Sequence, residues 1–167
     1  MKNEIEKLIP KAISAIEALL LNDKGKVLKE YDGYAASLGA AIRTSGLIPA
    51  LAFYTDISRS EGSARRYRLL QAVALCLGYA VDKDNTLQRQ MILDQVISDV
   101  YGHEVLQPEQ FVDRNSGRTS LKARELGKAN LTALRKWTND ITNASIALKL
   151  AMRNFPHSDD KTADHES

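Results

Sequence analysis

Apolar residues recur at steps of three and four along most of this chain, with polar stretches between the runs. Over residues 4–21 they fall at Ile5, Leu8, Ile9, Ala12, Ile16 and Leu19, the spacing that lines one face of an α-helix. Pro10 sits early, near a first turn or at a kink of the start. A second helix is expected over residues 28–45, with Tyr31, Tyr34, Leu38, Ala41 and Ile42 on one side. A third spans 48–57, a fourth 64–81 with Leu69, Leu70, Val73, Leu77 and Val81 inward, and a fifth 87–101. The stretch GHEVLQPEQFVDRNSGRT reads as a long loop suited to mobility or a partner contact. Thr119 or Ser120 then caps a last, long helix reaching toward Phe155, whose row Leu134, Trp137, Ile141, Ala144, Leu148, Ala151 and Phe155 demands burial. No segment alternates as a strand does, and no internal repeat is visible.

The corner between the second and third helices is the best-defined local feature. Arg43-Thr44-Ser45-Gly46 separates two apolar runs. Gly46 takes the place of a left-handed helix terminator, a conformation only glycine enters without a Cβ penalty. Pro49 follows in a first helical turn, where a missing N–H costs nothing. The expected fold class is therefore all-α, a single-domain bundle of about five to six helices over residues 1–155 with a long C-terminal helix. Residues 156–167, PHSDDKTADHES, hold almost nothing apolar and read as a disordered tail.

Composition narrows the class without naming a chemistry. Hydrophobic residues at 44% and charged residues at 26% suit a globular protein, and a net charge of +2 does not announce nucleic acid. Any basic surface must come from uneven placement of the Lys and Arg residues. Cys76, the single cysteine, lies in AVALCLGYAV and is expected to pack as a small hydrophobe. The opening MKNEIEKLIPK lacks a signal peptide's apolar core, and Leu69 to Val81 is too short to span a bilayer, so a reduced cytoplasmic setting is expected.

Catalytic constellations are missing from the sequence. His103, His157 and His165 have no metal-ligand spacing, and no phosphate loop, nucleophile elbow or HExxH occurs. DKDNT begins like a calcium loop but lacks the glycine and closing glutamate. Asp82 and Asp84 read as solvated charge. Neither an enzyme nor a metal or cofactor is expected.

Two groups of cations carry more information. If the last helix begins near residue 120, Arg124, Lys128, Arg135, Lys149 and Arg153 fall within roughly 60° on the face opposite its apolar row. Asp140 and Glu125 point elsewhere, so this face reads as basic, the alternative being ordinary solvated charge. Arg65, Arg66 and Arg68, with Arg59 upstream, crowd a helix's first turns against its dipole, a placement that a phosphate backbone would reward.

About a quarter of the chain, near its start, resembles a known family. KAISAIEALL followed by KEYDGYAASLGAAIRTSGLIPALAFY is similar to the small, all-helical subunit of type III-B CRISPR effector complexes, the Cmr small-subunit family. Ala12 and Ala15 lie in an Ala-rich first helix, Tyr31 and Tyr34 in a Lys/Tyr-rich segment, and Ile42, Gly46 and Leu47 at the Ile-x-x-x-Gly-Leu corner. Leu51, Ala52 and Phe53 supply the Leu-Ala-Phe run.

The resemblance implies a non-catalytic subunit that stacks head to tail into a minor filament in antiviral defence. Its implied partners are copies of itself, the backbone and large Cmr subunits, and paired guide RNA and target RNA, with no membrane. RNA contact would be to the backbone without base specificity, through the two arginine groups and Arg43 and without an aromatic stacking platform. A helix-turn-helix DNA-binding regulator is the first alternative. It would need polar base-reading residues on its second helix, whereas LIPALAFY is nearly all apolar and is expected to pack inward. A purely structural helical adaptor is the other alternative.

Overall fold

The structure, a computed structural model, describes residues 2–56, 60–81, 91–113 and 115–158. Arg59, the Asp82 and Asp84 pair, the expected start of the fifth helix at Leu87, and residues 159–167 with His165 lie outside the described residues. Six α-helices dominate the rest, in agreement with an all-α bundle closed by a long C-terminal helix.

Helix α1 (Lys2–Leu19) buries Ala12, Ala15, Ile16 and Leu19, the face its periodicity marks. Pro10 lies well inside it rather than at its first turn. Proline has no N–H for the carbonyl of Glu6, and Glu6 is exposed, so water can take that acceptor. A two-residue strand, β1 (Val27–Leu28), leads into α2 (Glu30–Ser45) and then α3 (Leu47–Thr55). Gly46 serves both helices at once. Its N–H closes α2 on the Ile42 carbonyl at 3.1 Å and its own carbonyl accepts the first bond of α3 from Ala50 at 3.2 Å. Meeting both demands requires φ +90 and ψ 167, a region beyond the ordinary left-handed helical well and one that L side chains rarely enter.

Helix α4 (Glu61–Cys76) starts earlier than its apolar row does, because Ser60 caps it by accepting from the Ser63 N–H. It ends at Cys76, with Gly78 at φ +93 just past it, so Leu77 and Val81 fall beyond it and are only partly buried. Helix α5 (Met91–Tyr101) contributes Ile92, Val96 and Val100 to the core.

The region between α5 and the last helix departs from the sequence expectation. After a 3₁₀ turn (His103–Leu106), β2 (Glu109–Val112) pairs antiparallel with β3 (Thr119–Lys122). The connection carries turn chemistry. Asp113 accepts from the Asn115 N–H at 3.0 Å and the Ser116 hydroxyl at 2.7 Å, bonds that hold its carboxyl below the usual range, and Gly117 takes φ +63. Thr119 and Ser120 are thus strand residues and cap nothing. The long helix α6 (Leu131–Met152) begins eleven residues later, with the Asn130 side chain accepting from the Ala133 N–H at 3.1 Å.

Helix α6 is the centre of the bundle and packs against α1, α2, α4, α5 and α3. Trp137, Ile141, Ala144, Leu148 and Ala151 are buried as their spacing requires, and Asn143, Ser145, Ala147 and Met152 widen that stripe. Phe155 lies past the helix, half-buried against the core. Alanines line the packed faces at Ala12, Ala15, Ala144, Ala147 and Ala151, so short side chains let the α1 and α6 backbones approach. Buried polar groups are matched across helices. The Ser145 hydroxyl donates to the Ala35 carbonyl at 2.7 Å, and the Trp137 indole donates to Asp99 at 2.8 Å. His157 and Ser158, placed by sequence in the tail, form β4 (His157–Ser158), parallel to β1.

Gly46→Val should destabilise the fold by about 2 kcal/mol, because the cost lies in the backbone rather than in a clash; the nearest atom to an added Cβ is 3.9 Å away. Gly33→Ala, inside α2 with open space at its Cβ, should instead stabilise by roughly 0.5–1 kcal/mol. Urea midpoints of the two variants against the parent check both signs.

Candidate functional site

The described arginines of the α4 cluster face the α2–α3 hairpin, and the bundle treats each differently. Arg65 is structural. One end of its guanidinium reaches Glu30 of α2 at 2.6 Å and the other reaches Glu61 one turn earlier at 2.6 Å, with only 12% of its side chain exposed. One positive charge is thereby shared between two carboxylates, and α2 is tied to the start of α4. Sequence marks the Glu61 partner by its i,i+4 spacing, while Glu30, 35 positions away, carries no such mark.

Arg66 lies over the ring of Phe53, 4.5 Å from its centroid. Its Nε is buried with no hydrogen-bond partner among the described residues. Gly62 makes room here, since an added Cβ would sit 3.3 Å from the Tyr34 hydroxyl and 3.9 Å from an Arg66 nitrogen. Arg68 is exposed beside Tyr31. Burial raises the hydroxyls of Tyr31, Tyr34 and Tyr54, the last to about 12. Tyr54 donates to the Tyr34 carbonyl at 2.7 Å. These phenols therefore stay neutral and add no negative charge beside Arg66 and Arg68.

Helix α3 is only half inward. Leu47, Ala50, Leu51 and Tyr54 are buried, but Pro49 and Ala52 are exposed and Phe53 is 55% exposed. The expectation that LIPALAFY packs wholly inward is corrected: nine residues make two and a half turns, and the bundle covers one side of them. The outward side still offers no polar group for reading bases.

The basic face expected on the last helix is not a single helix face, because Arg124 and Lys128 precede α6. Arg124 ties the hairpin base to the 3₁₀ turn, donating to the Gln107 carbonyl at 3.0 Å and approaching Glu109 at 3.5 Å and Glu104 at 3.8 Å. Lys128 is exposed in the linker ahead of α6. Arg135 is exposed near the start of α6. Lys149 lies 3.8 Å from Asp32, and Arg153 is the C-cap, positions where cations suit the helix dipole. Ile146 and Leu150, both partly exposed, further break the outward side of α6. Arg43 stands near the Gly46 corner, roughly 13 Å along α2 from Tyr34 and so away from Arg66.

A cleft of about 520 Å³ opens between the end of α5 and the hairpin. Glu104, Glu109 and Glu125 line it with Lys122 and Arg124, a balance that does not favour a polyanion. Cys76 is fully buried, and burial pushes its thiol up to about 11; it packs as a small hydrophobe. Among the described residues no cluster of three His, Cys, Asp or Glu side chains could hold a metal ion, and no helix is long and apolar enough to cross a membrane.

The family model described as CRISPR-associated protein (Cas_Cmr5) matches residues 6–108. The chain belongs to this family. The resemblance carried by the α1–α3 segment is thus borne out, and Cas_Cmr5 proteins are small subunits of type III-B Cmr complexes. Comparison with curated proteins and with solved structures gives no match. The Cas_Cmr5 segment runs from α1 into the 3₁₀ turn and includes Arg43, Gly46, Phe53 and the α4 arginines. It excludes the hairpin and α6, and with them Arg124, Lys128, Arg135, Lys149 and Arg153.

Arg65→Ala should lower stability by about 1 kcal/mol, at the upper end for a networked ion pair, because Glu30 and Glu61 both lose their partner. Arg68→Ala should stay within about 0.5 kcal/mol of the parent. Chemical denaturation of the two variants checks the assignment of one arginine to the fold and the other to the surface.

Proposed function

We propose that this Cmr-family chain is the non-catalytic small subunit of a cytoplasmic type III-B RNA-targeting complex in antiviral defence. Copies stack into the minor filament beside the backbone and large subunits and follow the guide–target RNA backbone without reading sequence. The observation that carries this reading is the coincidence of the Cas_Cmr5 segment with a surface where Arg66 and Arg68 have no carboxylate in ion-pair range among the described residues. Arg65, 12% exposed and held by two glutamates, acts through the fold. Arg43, Arg135 and Arg153 are outlying phosphate contacts, and Lys128 and Lys149 weaker ones. The hairpin, with Phe111, Val112 and Leu121 exposed and lying beyond the family segment, is a surface for protein neighbours.

The test is charge reversal in the assembled complex. Arg66→Glu with Arg68→Glu should leave helical content and incorporation intact and weaken target-RNA association to a similar degree for unrelated guide–target pairs. The loss should shrink at high salt, because phosphate contacts act through counterion release. Unchanged RNA association with normal incorporation contradicts this surface. The purified chain should cleave neither RNA nor nucleotides; metal-dependent cleavage that follows the polypeptide through purification contradicts the non-catalytic reading.

A further inference from the structure

We infer that Phe53, with Arg66 over its ring, is a stacking platform for an unpaired RNA nucleotide, so that this surface holds a base as well as phosphates. The inference rests on the RNA-contacting reading above and adds to it a contact that a duplex backbone cannot make.

Three observations lead there. Phe53 is an aromatic ring on the most apolar helix of the chain, and it remains 55% exposed. Its surroundings are fixed: Arg66 covers the ring at 4.5 Å from the centroid, and Tyr54 meets it edge-on with centroids 5.8 Å apart. A ring contacted on one face and one edge and still 55% exposed among the described residues can take a flat group on its remaining surface. The guanidinium over the ring has no carboxylate in ion-pair range among the described residues. Glu30 and Glu61 are both engaged by Arg65, while Arg66 makes no ion pair or hydrogen bond among the described residues.

A planar apolar face beside free guanidinium charge is the pairing that binds single-stranded nucleic acid, base on the aromatic and phosphate on the cation. A protein partner is the less favoured occupant. The exposed residues around Phe53 on α3 are Pro49 and Ala52, too small a rim for an apolar anchor pocket. Bases stack irrespective of identity, so the platform adds affinity without sequence preference.

The test measures binding of the full-length chain to a fluorescently labelled oligouridylate and to an RNA duplex of equal length, at one fixed salt concentration. Phe53→Leu keeps size and apolarity and removes the π-face, and Phe53→Trp restores it. Because Phe53 is exposed, both variants should fold, which circular dichroism checks. The single strand should bind Phe53→Leu about tenfold more weakly than the parent, with Phe53→Trp at or above parental affinity. Duplex affinity should be unchanged in both. If Phe53→Leu binds the single strand as the parent does, the platform is wrong and the backbone-contact reading stands. Equal losses for single strand and duplex also overturn it, since stacking then has no part. Loss of association with Cmr subunits while RNA binding persists makes Phe53 a protein anchor and overturns it. A parent chain that binds neither RNA overturns the platform together with RNA contact by the isolated chain.

Discussion

The bundle depends on the burial of α6. Its inward arc, from Trp137 to Met152, is wider than a two-stranded seam and touches all five other helices. A helix covered that broadly cannot also present a continuous outward face to a polyanion. What remains outside includes Leu131, Arg135, Lys136, Asn139, Ile146, Leu150 and Arg153, a mixture of charge and grease. Lys136 is further engaged by Asp140 at 2.7 Å. The same packing constraint that makes α6 the spine leaves the α3–α4 side as the RNA-facing candidate surface.

Much of this was legible from the residues. The 3.6-residue period placed α1 to α4 and the core row of α6, and Gly46 with Pro49 located the α2–α3 corner. Ala12, Ala15 and the Leu51-Ala52-Phe53 run carried the family. The errors over residues 103–130 have a common origin. SLKARELGKAN has the composition of a helix, and periodicity alone extended α6 backward through it. The competing signals were the turn residues Asp113, Asn115, Ser116 and Gly117 and the Asn130 cap, both local hydrogen-bonding chemistry rather than hydrophobic pattern. Once the start of α6 moved, the five-residue basic face dissolved, since it existed only on a helical wheel.

Other features could not be read from one dimension. That Arg65 answers Glu30, that Asp99 accepts from Trp137, and that Ser145 reaches the Ala35 carbonyl are long-range facts fixed by helix packing. The exposure of Phe53 is of the same kind. Its neighbours in sequence are apolar, so sequence assigns it to the core, and only the arrangement of α3 on α2 and α4 shows it facing out beneath Arg66. The pair Arg65 and Arg66 makes the point within two residues: one guanidinium is held by two carboxylates in the fold, and the next lies over an aromatic ring with no carboxylate partner among the described residues.

The central claim is that RNA runs chiefly over the α3–α4 surface, with only outlying phosphate contacts along α6. Ultraviolet cross-linking of the assembled complex to target RNA, with adducts mapped to residues by mass spectrometry, tests it most directly. The account predicts adducts on the segments carrying Phe53 and Arg66. Adducts confined to Arg124 through Arg135, or to Lys149 and Arg153, with none on α3 or α4, would contradict it.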